Sequence, residues 1–258
     1  YYFLLLQVCS TAVPWEPGLL LCAVANILRE VLGEGWAVLE ASLSADLFGF
    51  LLAGHQNRLP GEAEYRQKLR QMQELLRATL CCGAAFHTGP AITPRELSAA
   101  AGRLRSSCTN NVARRESLFW GAQPKPDCGI EYSRFENWKR LLAGGYIPAV
   151  RREMELYLEE MAGKLNAGTL SLFQQAFNQA VFSATLENRD RYPGAAADEE
   201  LLACLQEKAE TTGRLRDLIL RALRRLEEET TGGFSEAAED LIEKAVFFIR
   251  SHIEEDLR

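Results

Sequence analysis

Apolar positions in the first 120 residues switch between two periods, and each switch marks an element. Tyr1 to Val8 is a continuous apolar run, the signature of a buried strand. Pro14, Pro17 and Gly18 lead into a helical pattern from Leu19 to Leu32 that stops at Gly33 and Gly35. Two strand-like runs follow, Trp36 to Leu43 and Leu47 to Gly54, and the short spacer Ser44-Ala45-Asp46 between them predicts a hairpin. Pro60-Gly61 opens a long helix from Glu62 to Leu80, with Tyr65, Leu69, Met72, Leu75 and Leu76 on one side. A strand from Cys81 to Phe86, a helix from Glu96 to Cys108 and a short strand from Ser117 to Trp120 complete the series. A sheet with helices packed on it is the architecture this order predicts, an α/β (α+β) domain over residues 1–121.

Past Gly121 the period is helical throughout. A turn-rich linker over 122–132, containing Pro124, Pro126 and Gly129, precedes an all-α segment over 133–232. Phe135, Trp138, Leu141 and Leu142 mark one helix, ended by Gly144-Gly145. Pro148 opens the next at its first turn, where a missing N–H costs nothing, and Val150, Met154, Tyr157, Leu158 and Met161 give it a face. A third carries Phe173, Ala176, Phe177, Ala180, Val181 and Ala184 and stops near Pro193-Gly194. Asp198 caps a shorter helix with Leu201, Leu202 and Leu205. Leu215, Leu218, Ile219, Ala222, Leu223 and Leu226 define a longer one. Its end carries Glu227, Glu228 and Glu229 where the helix dipole disfavours acids, so fraying is expected there. Thr230, Thr231, Gly232 and Gly233 then read as a hinge. A last amphipathic helix follows, with Ile242, Ala245, Val246, Ile249 and Ile253 in one stripe.

Composition narrows the function classes. The 258 residues are 47% hydrophobic and 25% charged, as in an ordinary globular chain. A net charge of −6 argues against nucleic-acid contact by these residues, because such affinity comes largely from neutralised phosphates. The apolar start is far shorter than the roughly 20 residues of a membrane span, so no membrane contact is expected. Seven scattered cysteines without a CxxC pair argue against disulfides and zinc and for a reducing, cytoplasmic setting.

Candidate chemistry is sparse. Cys81 and Cys82 flank a strand with His87, but adjacent strand residues point to opposite faces and do not share a metal. Together with His55, these read as structural residues. Arg103, Arg105, Arg114 and Arg115 form at most a small basic patch, and Phe173, Phe177 and Val181 with Met154 and Met161 read as core. No phosphate-binding loop, dinucleotide fingerprint or nucleophile-base pair is present, and no cofactor, metal or catalytic residue is expected.

Two stretches carry family resemblances. The element order of the first domain resembles a GGDEF (diguanylate cyclase) domain, with Ser44-Ala45-Asp46-Leu47-Phe48 where the signature hairpin lies and Ala100-Ala101-Gly102-Arg103-Leu104 where that family has a characteristic helix. The resemblance implies a degenerate member. No acid lies between Tyr1 and Trp15 to hold a metal at the first strand, the signature glycines are Ser44 and Ala45, the glutamate is Leu47, and Asp46 alone survives. Phosphoryl transfer is mainly positioning and charge neutralisation, which one turn acid does not supply.

The second is Ile242-Glu-Lys-Ala-Val-Phe-Phe-Ile-Arg-Ser-His-Ile-Glu-Glu-Asp-Leu257, within 233–258, which resembles the first DNA-binding-region helix of large AraC-type transcription regulators of the YesN-like kind. The positions that carry it are Ile242, Ala245, Phe248, Ile249, His252, Asp256 and Leu257. Together the two resemblances imply a non-enzymatic signal-relay region, with DNA reached only through a domain beyond Arg258 and with an upstream sensor and a homodimer as possible partners. The alternatives are a divergent nucleotide-binding or cyclase module using Asp46, and a receptor-linked dimerisation scaffold.

Overall fold

The computed structural model of the chain describes residues 1–54, 61–121 and 129–230. The chain is α+β, and its internal contacts divide it into two units: Tyr1–Asp127 with Gly163–Ala167, and Cys128–Ala162 with Gly168–Arg258. Among the described residues no helix is long and apolar enough to cross a membrane.

The first unit is built on a five-stranded sheet. β1 (Tyr2–Thr11), β2 (Trp36–Ser44), β3 (Leu47–Gly54), β4 (Cys82–Thr88) and β5 (Leu118–Trp120) lie in the order β2-β3-β1-β4-β5. β1 pairs antiparallel with both β3 and β4, β2 pairs antiparallel with β3, and β5 joins β4 in parallel. With α1 (Pro17–Leu32) between β1 and β2 and α2 (Glu62–Leu80) between β3 and β4, the first four strands make a split β-α-β, ferredoxin-like arrangement. α3 (Leu97–Asn110) is the crossover that places β5 parallel to β4.

Alternation along the strands distributes the core. Leu4 and Leu6 of β1, Phe48, Phe50 and Leu52 of β3 and Ala84 and Phe86 of β4 face one way and bury Leu20, Val24 and Leu28 of α1 with Leu69, Met72 and Leu76 of α2. Leu5 faces the other way and packs with Leu104 and Cys108 of α3. Tyr65 of α2 stacks on Tyr2 at 4.1 Å between ring centroids and shares a 3.3 Å hydrogen bond with Thr88.

Element bounds depart from expectation where a contact outside the periodic pattern decides them. β1 runs on to Thr11 because Ser10 and Thr11 pair with Gly83 and Cys82. α1 begins at Pro17 rather than Leu19 because the Glu16 carboxylate accepts hydrogen bonds from the Gly18 and Leu19 amides. Cys81 is not in a strand: it caps α2 in the left-handed conformation at φ 49°, and β4 starts at Cys82 and includes His87.

In the second unit the described residues form helices and no strand: α4 (Tyr132–Ala143), α5 (Ile147–Glu160), α6 (Ala167–Glu187), α7 (Glu199–Gln206) and α8 over 212–230. Its centre is aromatic. Phe135, Trp138, Tyr157 and Phe173 are buried and in mutual ring contact, with Phe135 edge-on to Phe173 at 5.0 Å and Tyr157 stacked on Phe173 at 5.5 Å. The residues read as core, Met154, Met161, Phe173, Phe177 and Val181, are all buried. Asp198 caps α7 through the Leu201 amide at 2.9 Å.

The end of α8 is tied down, contrary to the expected fraying. Glu227 pairs with Arg151 of α5 at 2.7 Å, Glu228 with Arg225 at 2.5 Å, and the Glu229 carboxylate accepts from the Gly194 amide at 3.1 Å. Partners from distant segments outweigh the local dipole. Thr230 is still helical, its hydroxyl donating to the Glu227 carbonyl at 2.8 Å. The other hinge residues, Thr231, Gly232 and Gly233, and the seven residues of the AraC-like stretch, Ile242, Ala245, Phe248, Ile249, His252, Asp256 and Leu257, lie outside the described residues, as does His55.

Candidate functional site

The alternative reading of a divergent cyclase would place its chemistry at the β2–β3 turn, and the surroundings of that turn define what Asp46 does. The Val8 amide of β1 donates to the Asp46 carbonyl at 2.8 Å, which holds the turn against the first strand. The Ser44 hydroxyl donates to Asp46 Oδ1 at 2.7 Å. Arg114, from the loop after α3, meets Asp46 Oδ2 at 2.7 Å and donates to the Val8 carbonyl at 3.3 Å. One guanidinium thus bridges the end of the first strand and the hairpin turn.

The loop that presents Arg114 is locally organised. The Asn111 side chain accepts from the Arg115 amide at 2.9 Å and donates to the Arg115 carbonyl at 3.2 Å and to Gln7 Oε1 at 2.9 Å. Gln7 in turn donates to the Cys108 carbonyl at 3.2 Å. These bonds close 111–115 into a tight turn in which Arg114 takes φ 50°, a left-handed position uncommon for a side chain of this size. Partial burial of Asp46 opposes its ionisation, but the Ser44 hydroxyl and the Arg114 cation outweigh it and hold its pKa below the usual aspartate value. Arg114, which in the sequence reads either as part of a small basic patch or as a solvated loop charge, is instead the counter-ion of Asp46. No local signal in the sequence links the two.

A second polar group lies at the same end of the sheet. Glu116 accepts from the Ser10 hydroxyl at 2.7 Å and from Arg77 at 2.6 Å, and these bonds, Arg77 foremost, lower its pKa. Gly83 lies directly beneath, where a Cβ would overlap the Glu116 carboxylate and the Ser10 hydroxyl.

The cysteines and histidine of the sheet unit offer no poised nucleophile. Burial pushes the thiol pKa of Cys9 and Cys82 up to about 11 and that of Cys108 up to about 12, so none is a thiolate near neutrality. Cys81 is exposed and Cys82 buried. His87 is fully buried on the α3 side of the sheet, its Nδ1 sharing a 2.8 Å hydrogen bond with Ser107 Oγ and its ring stacked on Phe119 at 4.6 Å. Its Nε2 has no hydrogen-bond partner among the described residues, and burial pushes its pKa down to about 4. Among the described residues no group of three or more His, Cys, Asp or Glu is placed to hold a metal ion.

Compared with known proteins, the chain matches no family model, no curated protein and no solved structure.

Proposed function

We propose that this chain is the regulatory and signal-relay region of an AraC-type transcription regulator, catalytically inactive, which couples an upstream signal to a DNA-binding domain encoded after Arg258. The observation that carries the reading is the Asp46–Arg114 pair at 2.7 Å. In a sheet unit whose order resembles a GGDEF domain, the one surviving signature acid has its charge answered by a side chain of the same unit. That guanidinium also reaches the first-strand carbonyl, beside which a cyclase would need a metal-binding acid. A degenerate domain kept for its architecture fits this arrangement better than a nucleotide cyclase does. The resemblance carried by Ile242, Ala245, Phe248, Ile249, His252, Asp256 and Leu257 supplies the link to AraC-type regulators, and Thr230 to Gly233 the segment through which movement passes.

The test is DNA binding by a protein extended past Arg258 along its reading frame. It should select particular promoter fragments from a mixture and keep that preference as salt is raised, since sequence reading survives the screening that weakens phosphate contacts. Binding that shows no preference, or that vanishes uniformly with salt, refutes the proposal. GTP turnover or calorimetric GTP binding by the present chain with Mg²⁺ refutes the catalytically inactive, degenerate part of it.

A further inference from the structure

We infer that the outer edge of β2 pairs with the same edge of a second copy of this chain, antiparallel and centred on Leu39. β2 is the outermost strand of the sheet, and among the described residues no strand pairs with its free side. A nine-residue edge with unpaired N–H and C=O groups is a template for strand addition unless it is blunted. It carries neither lysine nor proline, and its single charge, Glu40, is held by Arg29 of α1 at 2.7 Å. The one irregularity is a bulge between Ser42 and Ser44, at the turn end, which leaves Trp36 to Ser42 in regular register with β3.

One face of that regular segment is symmetric about Leu39. On the face away from α1 it presents Ala37, Leu39 and Ala41, which read the same in both directions. All three are exposed, Leu39 at 68%. A two-fold axis through Leu39 sets Leu39 against its own copy and each Ala37 against Ala41 of the other chain. On the opposite face it sets Glu40 against Val38, so the two Glu40 side chains never face each other. An axis at Glu40 would oppose them directly, and an axis at Ala41 would draw the bulge into the pairing. The mirrored Ala37-Leu39-Ala41 face points to an identical strand as the partner, and charge placement with the bulge selects the register. Leu43, 50% exposed over Gly49, and half-buried Leu51 extend the apolar surface beside the seam. The pairing does not depend on the regulator reading and stands or falls separately from it.

A seven-residue edge buries far less than a standard interface, so the dimer is a weak one that forms with rising concentration. Sedimentation equilibrium of the whole chain across about a hundredfold range of concentration should show reversible dimerisation. Leu39→Lys should abolish it while leaving the far-UV circular dichroism unchanged. The register is tested by two double variants. Ala37→Glu with Ala41→Lys brings opposite charges together twice across the seam, and Ala37→Lys with Ala41→Lys brings like charges together twice. The first should dimerise about tenfold more tightly than the second. A chain that stays monomeric throughout, a Leu39→Lys protein that dimerises like the parent, or two double variants of equal affinity would each overturn the inference.

Discussion

Acid should weaken the sheet unit through His87, by an amount that follows from its surroundings. The ring is fully buried, between Leu5 of β1, its cross-strand neighbour, and Phe119 of β5, with Ser107 as its only hydrogen-bond partner among the described residues. Charging it there means desolvating an imidazolium, and this burial lowers the pKa from 6.5 to about 4. The folded value is depressed, so stability is fully present above pH 6.5, where the ring is neutral in both states. Below that the unfolded chain takes up a proton that the folded chain refuses, and stability falls until the folded ring protonates near pH 4. At about 1.36 kcal/mol per pH unit the whole window is worth about 3 kcal/mol, a large share of a typical domain stability of about 5–15 kcal/mol. The assay is urea unfolding of the sheet unit, read by amide exchange in β1 and β4, at about pH 7 and about pH 5 for the parent and for His87→Gln. Between those conditions the parent should lose about 2 kcal/mol more than the variant. His55 and His252 are common to both proteins and cancel in the comparison. Equal losses in the two would refute the reasoning.

Substitutions at four further positions separate structural roles by size. Gly83→Val meets only the ends of the Glu116 and Ser10 side chains, which can swing away, so it should break the Ser10–Glu116–Arg77 bonds at a cost of no more than about 1 kcal/mol; a loss above about 3 kcal/mol in chemical denaturation would contradict it. Asp46→Ala removes a partly exposed pair, Arg114 at 27% and Asp46 at 44%, so its effect on chemical denaturation should stay below about 1 kcal/mol. Trp138→Ala empties the centre of the aromatic cluster, and the helical unit should lose about 3–5 kcal/mol of unfolding free energy, with Trp138→Phe costing much less. Asp198→Ala deletes the α7 cap and strips Arg225 of a partner at 2.8 Å; exchange protection in α7 should fall by about 1–2 kcal/mol, and unchanged protection would refute the capping role.

What was legible in the sequence is what local chemistry decides. β3 over Leu47–Gly54 and α2 over Glu62–Leu80 fall at their expected bounds, because a short polar turn precedes one and Pro60-Gly61 the other. The helical faces of Phe135 and Trp138, and of Leu215 to Leu226, are buried as their spacing predicts. Some departures are local, as where Glu16 caps α1 and Cys81 caps α2; the larger ones come from partners far along the chain. β4 decides the length of β1, and Arg151 and Gly194 hold the acidic end of α8 that its own dipole would loosen.

The hairpin turn shows the same division at the level of function. From the sequence, Asp46 reads as a turn residue, with the last remnant of a metal site as the alternative, since both need a carboxylate after a short polar spacer. The choice lies in what stands opposite. Arg114 comes from another loop, is turned inward by a left-handed backbone that Asn111 stabilises, and reaches both the carboxylate and the Val8 carbonyl. A metal ion at that position would have to displace a guanidinium already bonded on two sides. Arg114→Ala is therefore the informative change at this turn. If Asp46 is a turn residue, freeing it creates no measurable Mg²⁺ or Mn²⁺ binding by calorimetry, because one carboxylate and a carbonyl are too few oxygen ligands for either ion. Divalent-ion binding that appears in Arg114→Ala and vanishes in Arg114→Ala with Asp46→Ala would mean that the arginine occupies a metal site rather than replacing one.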